Sequence, residues 1–432
     1  MGSSIGVGLI GLGTVGSGVV RLLRDAPAAM QRRQHLDFQL RRIAVADPAK
    51  KRAVDVAADL LTANAMDVVD DPDVQLVVEL SGAAGAREWI AAGLERGKDV
   101  VTANKAVLAQ HGEELFGLAL ANGVDLMFEA SVAGGIPIIR SLRSGLVANE
   151  VESLYGILNG TTNYILTRMT RREGGYREIL ADAQEKGFAE PDPTMDVSGM
   201  DAAQKLAILC RIAFHTTGTG GDVYCEGIEQ VDTLDIEYAR ELGFTIKLLA
   251  IAKRGPGGVQ ARVHPAMVPS ESLLANIHDE FNAIEVVGSS VGTQVYSGRG
   301  AGQMPTASAV VADMVELAER KISGAGSAGG DMILDDGAAC LADMSELEIR
   351  YYLRLLVEDR PGVLESITHI VAQGDISIAS VIQKERDLQG GTVPLIIVTH
   401  EARERSMRQA VAAMNALDGV HEEVTMIRME EL

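Results

Sequence analysis

A glycine-rich segment near the start of the chain has the spacing of a phosphate-binding turn. The sequence Gly11-Leu12-Gly13-Thr14-Val15-Gly16 follows an apolar run over residues 5–10 and opens a helical pattern. In a strand-to-helix turn, glycines at these positions let the backbone approach a pyrophosphate, which the exposed N–H groups of the helix start then bind. The motif alone is weak, but its place at the first turn of a strand-helix alternation predicts a dinucleotide site, with a structural turn as the alternative.

The residues after the second predicted strand bear on which nicotinamide dinucleotide is bound. Asp47 ends this strand and could accept hydrogen bonds from an adenosine ribose, whereas Lys50, Lys51 and Arg52 could equally hold a 2′-phosphate. Asp47 lies further from the glycines than the usual spacing of about 20 residues, because an insertion that contains residues 27–33 lengthens the crossover. NAD and NADP therefore both stay open.

A lysine follows another predicted strand. Lys105 comes just after the apolar segment 100–102, at the carboxyl end of that strand. Open α/β sheets bind their ligands at this edge, so a cation there would face the cofactor crevice. The alternative is an ordinary surface lysine on a loop.

Four carboxylates cluster in segment 187–201, which runs from a loop into a helix: Glu190, Asp192, Asp196 and Asp201. Ser198 has the type and position of an N-cap, with Asp201 as its capping-box acid. Asp201 and Lys205 are then i,i+4 neighbours on one helical face. A surface pair of this kind contributes only about 0.3–0.5 kcal/mol, but the clustered acids beside a lysine favour a site for an ammonium group.

Two further features could take part in chemistry. His264 stands at a predicted strand end, where it could be a general acid or base, or a satisfied structural residue. The turn at residues 299–306, which contains Gly300 and Gly302, could donate backbone N–H groups to a ligand or an oxyanion. A plain interdomain turn explains it equally well.

The elements that must position these residues fall into three patterns. The first 130 residues alternate apolar runs with helical stretches, which predicts a doubly wound parallel sheet of the Rossmann type. An α+β unit follows from about residue 137. The last segments read strand, helix, strand, strand, helix, strand, the order of the ferredoxin-like βαββαβ fold.

These patterns predict a division into domains. Residues 1–135, with a helix at about 305–322, form the dinucleotide-binding domain, and residues 136–304 form the α+β domain. A Gly-, Ala- and Ser-rich linker covers 323–347, and the βαββαβ domain covers 348–432.

Composition excludes several classes of protein. The chain has 39 Lys and Arg against 60 Asp and Glu, a net charge of -21, which would repel nucleic acid. The chain has no uncharged apolar run of 18 residues, so no membrane span is predicted. Three cysteines without C-x-x-C spacing fit neither a disulfide scaffold nor a zinc site, and we expect a cytoplasmic protein.

The motifs together carry a resemblance to a known family. The pattern Ala183-x3-Gly187-Phe188-Ala189-x2-Asp192-Pro193-x2-Asp196-Val197-x-Gly199-x-Asp201-x3-Lys205, with Thr102-Ala103-Asn104-Lys105, resembles homoserine dehydrogenase of the monofunctional bacterial type with a C-terminal ACT domain. The resemblance covers essentially the whole chain, and it implies that residues 136–304 are a substrate-binding and dimerisation domain. It implies reversible NAD(P)-dependent interconversion of L-homoserine and L-aspartate 4-semialdehyde in threonine, methionine and isoleucine biosynthesis, by a homodimer or homotetramer.

The resemblance also implies residue roles. Lys205 is expected to relay the proton, oriented by Asp201, with Lys105 as an electrostatic partner, although the two lysines could exchange roles. The substrate-binding residues are then Glu190, Asp196, Asp201, Lys105, Asn159, Gly160, Thr161 and His264. The cofactor-binding residues are Gly11, Gly13, Thr14, Val15, Gly16, Asp47, Lys50, Lys51, Arg52, Ser81, Thr102, Lys105, Gly302 and Thr306.

Two more sites follow from the same resemblance. Segment 128–137 looks like a sodium loop, with oxygens from Glu129, Val132, Gly134 and Ile136. The turn after the first strand of the βαββαβ pattern resembles an amino-acid effector site, for which threonine is the leading ligand, with Asp359, Gly362, Val363 and Leu364. A dimerisation module that binds no effector is the alternative for this domain.

Two other functions stay open from the residues. One is another amino-acid-pathway dehydrogenase, although aspartate-semialdehyde dehydrogenase would need a thiol nucleophile that Cys210, Cys225 and Cys340 do not convincingly offer. The other is an amino-acid-sensing protein without catalysis, against which both lysines argue.

Overall fold

The computed structural model describes residues 3–25, 30, 32, 36–255, 257–325, 332, 338–384 and 391–432. The chain divides into two compact units, which we call unit 1 and unit 2. Unit 1 contains Met1–Leu154, Gln204–Val223 and Asn282–Cys340, and unit 2 contains Tyr155–Ala203, Tyr224–Phe281 and Leu341–Leu432. The predicted domain 136–304 is thus shared between the units, so its boundaries stay a prediction. Most of the insertion 27–33 and much of the linker 323–347 lie outside the described residues.

A parallel sheet forms the first part of unit 1. Within the described residues it has the strand order β3-β2-β1-β4-β5-β6, which confirms the Rossmann-type doubly wound sheet. The chain leaves β1 where β2 lies on one side and β4 on the other, with Ile10 paired to both Ala44 and Glu79. The strands are β1 (Ser3–Ile10), β2 (Leu36–Ala44), β3 (Leu61–Thr62), β4 (Leu76–Glu79), β5 (Asp99–Thr102) and β6 (Leu126–Met127).

Helices cover this sheet and complete its core. The first five along the chain are α1 (Thr14–Arg24), α2 (Met66–Val69), α3 (Ala86–Glu95), α4 (Lys105–Ala121) and α5 (Ile138–Arg140). A later helix, α11 (Gln303–Ser323), packs on α1 so closely that a Cβ at Gly18 would lie 2.8 Å from that of Ala307. The helix predicted at about 305–322 therefore shares its core with the start of the chain.

The next part of the chain carries strands β7 (Val151–Ile157) and β8 (Tyr224–Cys225) and five helices. These helices are α6 (Gly160–Thr170), α7 (Tyr176–Glu185), α8 (Thr194–Val197), α9 (Met200–Phe214) and α10 (Thr233–Glu241). Strand β9 (Phe244–Gly255) and strand β10 (Gly258–Pro269) form a long antiparallel hairpin in unit 2. Of these two strands, only the part of β10 that ends at His264 was predicted from the sequence, and β9 was not predicted. Strands β11 (Phe281–Gly288) and β12 (Gly292–Arg299) follow.

The C-terminal segment has the predicted βαββαβ order. Its strands lie in the order β17-β13-β15-β14, with the helices packed on one apolar core. Strand β17 also pairs with β10, since Ala266 lies opposite Arg428. The C-terminal sheet thus continues into the β9–β10 hairpin of unit 2. Its elements are β13 (Glu348–Glu358), α12 (Val363–Gln373), β14 (Ile378–Ile382), β15 (Thr392–Thr399), β16 (Ala402–Arg403), α13 (Glu404–Asn415) and β17 (Thr425–Met429).

Candidate active site

The glycine-rich turn has the geometry that a dinucleotide needs. Gly11 has a φ of +99°, and a Cβ there would lie 2.8 Å from the backbone of Ser81. A Cβ at Gly16 would lie 2.2 Å from the carbonyl oxygen of Gly11, so this glycine lets α1 approach β1. Gly13 has no atom within 4 Å of its Cβ position and lies just before Thr14, where α1 begins. The backbone N–H groups of the helix start are therefore open to an anionic ligand.

A buried glutamate organises the neighbouring strand ends. The Oε1 atom of Glu79 accepts hydrogen bonds from the backbone N–H of Ser81 at 2.8 Å and from its hydroxyl at 2.6 Å. The hydroxyl of Thr102 donates to the other oxygen of Glu79 at 2.9 Å. Sequence reasoning missed Glu79, although an acid that ends the apolar run 76–78 was a usable signal. Glu79 fixes two predicted cofactor residues at the carboxyl ends of β4 and β5.

Lys105 is positioned by the cap of its helix. Asn104 is the N-cap of α4, and its side chain accepts from the backbone N–H of Val107 at 3.2 Å. Arg211 of α9 lies 3.6 Å from Glu113 of α4, measured from Nη2 to Oε2. The helices that carry Lys105 and Lys205 are therefore neighbours in unit 1.

The loop proposed to distinguish NAD from NADP is exposed. The backbone N–H of Ala49 donates to Oδ1 of Asp47 at 2.9 Å. The guanidinium of Arg52 folds back onto the carbonyl oxygens of Asp47 and Lys50. Lys50 and Lys51 of this loop are exposed.

Two carboxylates of unit 2 meet at one asparagine. The Nδ2 group of Asn159 donates to Asp196 at 2.8 Å and to Asp201 at 2.9 Å. The Oδ1 atom of Asn159 caps α6 by accepting from the backbone N–H of Thr162 at 2.9 Å. The hydroxyl of Thr161 lies 3.1 Å from Asp196. Asn159 and Asp201 are buried, so their positions are fixed by this network.

The loop around these acids differs in one detail from the prediction. Ser198 was expected as the N-cap of a helix, but its N–H donates to the carbonyl of Thr194 at 3.0 Å, which closes the short helix α8. The long helix α9 begins after Gly199, whose φ of +83° makes the turn. The N-cap prediction is wrong because a separate turn of helix precedes α9. Glu190 is exposed at the start of this loop, and Gly160 is the first residue of α6.

Helix α9 carries the central residues of the predicted signature. It contributes Asp201 to unit 2 and Lys205, one turn later, to unit 1. The predicted i,i+4 spacing on one helix is present. His264, in contrast, is completely buried on β10, where burial and the charges of Arg428 and Arg262 lower its pKa to about 4.

The predicted sodium loop packs against the second glycine turn within unit 1. A Cβ at Gly134 would lie 2.6 Å from the carbonyl oxygen of Gly300 and 3.0 Å from the hydroxyl oxygen of Thr306. Gly302 has a φ of +125° at the start of α11. Val132 and Ile136 are buried in the same loop. The predicted sodium loop and the turn at residues 299–306 are therefore in contact, although they lie far apart in the sequence.

Two buried acids lie beside that loop. The carboxylate of Glu129 accepts from the backbone N–H groups of Ile139 and Arg140, each at 2.8 Å. The N–H of Glu129 donates to Oδ2 of Asp313 at 2.8 Å. Burial raises the pKa of both carboxyls, that of Asp313 to about 8. Sequence reasoning missed Asp313, which stands in the apolar stripe of α11.

The chemistry of these donors suits a hard cation only in part. Carboxylate and carbonyl oxygens are the ligands that such ions prefer. Within the residues that the structure describes, however, no group of three or more His, Cys, Asp or Glu side chains is arranged to hold a metal ion. A sodium ion would therefore depend on Glu129 and on the backbone carbonyls of Val132, Gly134 and Ile136.

The predicted effector turn is well formed in the C-terminal domain. Gly362 is the N-cap of α12 with a φ of +94°, and Val363 is buried while Leu364 is 43% exposed. The backbone N–H of Asp359 donates to the carbonyl of Gly391 at 3.1 Å. The turn therefore presents backbone and side-chain groups at the end of strand β13.

The doubly wound sheet, the open helix start after Gly13 and the lysines and carboxylates of the signature define a class. The chain is an NAD(P)-dependent oxidoreductase of the dehydrogenase type that acts on a CH–OH group. None of the helices formed by the described residues is long and apolar enough to cross a membrane.

Comparisons with known proteins identify the family. Residues 11–129 match the family model "Homoserine dehydrogenase, NAD binding domain", residues 137–315 match "Homoserine dehydrogenase", and residues 351–419 match "ACT domain". The homoserine dehydrogenase of Pseudomonas aeruginosa is 42% identical over 430 residues, which cover 99% of both chains. That of Corynebacterium glutamicum is 43% identical and covers 99% of this chain and 96% of its own.

A solved structure agrees over the same length. The homoserine dehydrogenase from Thiobacillus denitrificans has a TM-score of 0.92 and 44% identity, and the match covers 99% of each chain. The chain therefore belongs to the homoserine dehydrogenase family.

Proposed function

We propose that Asp196 and Asp201 bind the ammonium group of L-homoserine and L-aspartate 4-semialdehyde, and that Glu190 assists them at the rim. The observation that carries this proposal is the amide of Asn159, which donates to the buried carboxylate of Asp201 and to the partly buried carboxylate of Asp196. Two carboxylates fixed side by side favour a cation, since a like-charge pair is costly when nothing neutralises it. An amino acid substrate supplies that cation.

Lys205 and Lys105 serve the reacting oxygen in this proposal. Reduction of the aldehyde adds a hydride to carbon and builds negative charge on oxygen. The Nζ of Lys205 gives its proton to that oxygen, and the Nζ of Lys105 stabilises the charge while it develops. In the oxidation direction, the neutral Nζ of Lys205 accepts the hydroxyl proton while the hydride leaves the carbon.

The residues present fit a nicotinamide dinucleotide. The space beside Gly13 and the uncapped N–H groups of α1 would hold the pyrophosphate, and Asp47 and Lys50-Lys51-Arg52 would lie at the adenosine end. When bound, the nicotinamide supplies or accepts the hydride. Dual use of NAD and NADP is the expected outcome, because the loop offers both a carboxylate and cations.

The remaining finer assignments are proposals as well. A sodium ion at Glu129 would neutralise part of the buried acid pair with Asp313 and fix the loop that contacts Gly300. Threonine is proposed to bind the turn of Asp359 and Gly362, and it inhibits only if it binds the less active state more tightly. A homodimer or homotetramer in the cytoplasm stays a prediction.

The proposed substrate site is tested by Asp196→Asn, with Asp192→Asn in the same loop as the matched control. Among the contacts of the described residues, the carboxylate of Asp192 accepts hydrogen bonds only from the backbone N–H and the hydroxyl of Thr194, in its own loop. We expect Asp196→Asn to raise the KM for L-homoserine about 10-fold or more, as loss of a charge-assisted hydrogen bond does, with the KM for NADP unchanged. Equal KM values for L-homoserine in both variants would contradict the proposal.

A further inference from the structure

We propose that Arg428, on the last strand of the C-terminal sheet, is a positioning residue for Asp196 and Asp201 and acts on them through Glu226. The inference rests on the proposed function, in which these two carboxylates bind the substrate. It assigns to the C-terminal domain a part in forming the substrate site itself. All residues concerned belong to unit 2.

Arg428 is a completely buried arginine that holds two carboxylates at once. Its Nη1 donates to Oε2 of Glu226 at 2.6 Å, and its Nη2 lies 3.1 Å from Oε1 of the same residue. Its Nε donates to Glu404 at 2.9 Å, and Nη2 also contacts that carboxylate. Glu404 belongs to α13 of the C-terminal domain, whereas Glu226 follows β8. The planar guanidinium therefore joins the two parts of unit 2 by paired hydrogen bonds.

The pKa values of both partners agree with this arrangement. Burial alone would raise the pKa of Glu404, but the hydrogen bonds and charge of Arg428 lower it to about 2. The pKa of Glu226 is lowered in the same way, against the effect of its burial. Both carboxylates are thus ionised and paired at neutral pH, and the connection is charge-assisted.

The segment that contains Glu226 contacts the loop between Asp196 and Asp201. The N–H of Ile228 donates to the carbonyl of Val197 at 2.9 Å, and the Sγ of Cys225 donates to the carbonyl of Ser198 at 3.1 Å. A Cβ at Gly199 would lie 3.0 Å from that Sγ. The backbone of 225–228 is therefore in direct contact with the three residues 197–199.

Those three residues lie between the two aspartates that are proposed to bind the substrate. Asp196 precedes Val197 in helix α8, and Asp201 follows Gly199 at the start of α9. Because Gly199 turns the chain with a φ of +83°, a shift of this turn changes the direction of both carboxylates relative to Asn159. Arg428 fixes Glu226, Glu226 fixes the 225–228 segment, and that segment fixes the turn.

A second arginine, whose side chain is 13% exposed, provides a matched control. Arg354 of β13 donates to Asp235 of α10 through Nε at 2.7 Å and through Nη2 at 3.1 Å. This pair also joins the C-terminal sheet to the rest of unit 2, and Asp235 is completely buried. Among the described contacts, Asp235 does not reach the 225–228 segment. A purely structural role of arginine–carboxylate pairs would appear equally in both pairs.

The test compares Arg428→Lys, Glu226→Gln, Arg354→Lys and Asp196→Asn in the full-length protein. A lysine keeps the charge but cannot form the paired bonds, and Glu226 is 35% exposed, so Glu226→Gln should fold even if Arg428→Lys does not. We expect Arg428→Lys and Glu226→Gln to raise the KM for L-homoserine about tenfold. Their kcat and their KM for NADP should stay near wild type, and Arg354→Lys should lower the melting temperature without a change in either KM.

Unchanged KM for L-homoserine in Glu226→Gln, or an equal rise in Arg354→Lys, would overturn the inference if Asp196→Asn still raises that KM. If Asp196→Asn itself has no effect, the proposed substrate site fails, and the inference fails with it. The two failures are therefore distinguished by one set of measurements.

Discussion

Acidification should destabilise unit 2 through the ionisable groups buried between strands β10 and β17. Glu430 is 1% exposed and accepts from Nη2 of Arg262 at 2.6 Å and from Nζ of Lys253 at 3.3 Å. Although burial would raise it, the charges of Arg262 and Lys253 lower the pKa of Glu430 to about 2. His264 is completely buried beside this pair, and its pKa is lowered to about 4 by burial and by neighbouring cations.

The magnitude follows from these values. Unfolded protein binds a proton at His264 below about pH 6.5, whereas the folded protein does so only near pH 4. In the same way, the unfolded protein binds a proton at Glu430 below its ordinary pKa of 4.5, whereas the folded protein does so only near pH 2. Each depressed pKa is thus linked to roughly 3 kcal/mol of stability, present above the ordinary value and lost as pH falls through the folded value. The sum is smaller, because protonated His264 would gain from Glu430 at 3.8 Å.

Urea unfolding of the full chain, followed by circular dichroism from about pH 7 to about pH 4.5, measures the part of this loss that comes from His264, because the contribution of Glu430 is lost below this range. A decrease of a few kcal/mol would be a large part of the roughly 5–15 kcal/mol typical of domains. His264→Gln removes the histidine and should flatten the curve above about pH 4.5. A wild-type unfolding midpoint that does not change over this range, or an equally steep curve for His264→Gln, would refute the reasoning.

Three further predictions concern the reaction and its control. Lys205→Ala should lower turnover about 10²–10⁴-fold with cofactor affinity nearly unchanged. Steady-state rates test this, with Lys186→Ala as the control because Lys186 is an exposed lysine. Near-wild-type turnover of Lys205→Ala would remove Lys205 from the mechanism. Replacing Lys50 and Lys51 together by Ala should raise the KM for NADP more than that for NAD, and an equal rise would place these lysines away from the 2′-phosphate. Asp359→Ala should weaken inhibition by threonine with basal rates kept, and an inhibition curve identical to wild type would withdraw the effector role of this turn.

The sequence was sufficient for elements whose pattern is local. The parallel sheet and the βαββαβ order were predicted because each apolar run and each helical stretch is bounded by its own turn residues. Strand β9 was not predicted, since its continuous apolar run at residues 248–252 is short and does not distinguish a buried strand from a buried helix. Its pairing with β10 depends on the tertiary structure.

Residues that act through long-range contacts were beyond local patterns. Asn159 meets Asp196 and Asp201 across separations of 37 and 42 residues, and no spacing rule encodes that meeting. Glu404 is an acid in the first turn of a helix, a position that the helix dipole favours. That preference alone would explain a surface residue. The structure instead buries it against Arg428. Local patterns assign such acids to solvent because burial depends on the partner that the fold supplies.

The depth of these contacts decides how the C-terminal domain can be studied. Deletion of residues 348–432 would be the simplest test of a separable regulatory domain, and the domain pattern in the sequence suggests it. The deletion would remove Glu430 from Arg262 and leave that arginine, 1% exposed in the intact chain, without its carboxylate. It would also remove the strand that pairs with Ala266 on β10. Breaking one buried ion pair in this way costs about 3–5 kcal/mol, so loss of activity in the truncated chain would not distinguish destabilisation of unit 2 from loss of a group that the reaction needs. Single substitutions at the proposed effector turn leave the Glu430–Arg262 pair and the β10–β17 pairing in place. They therefore test the proposed regulatory role separately from the structural role of the domain.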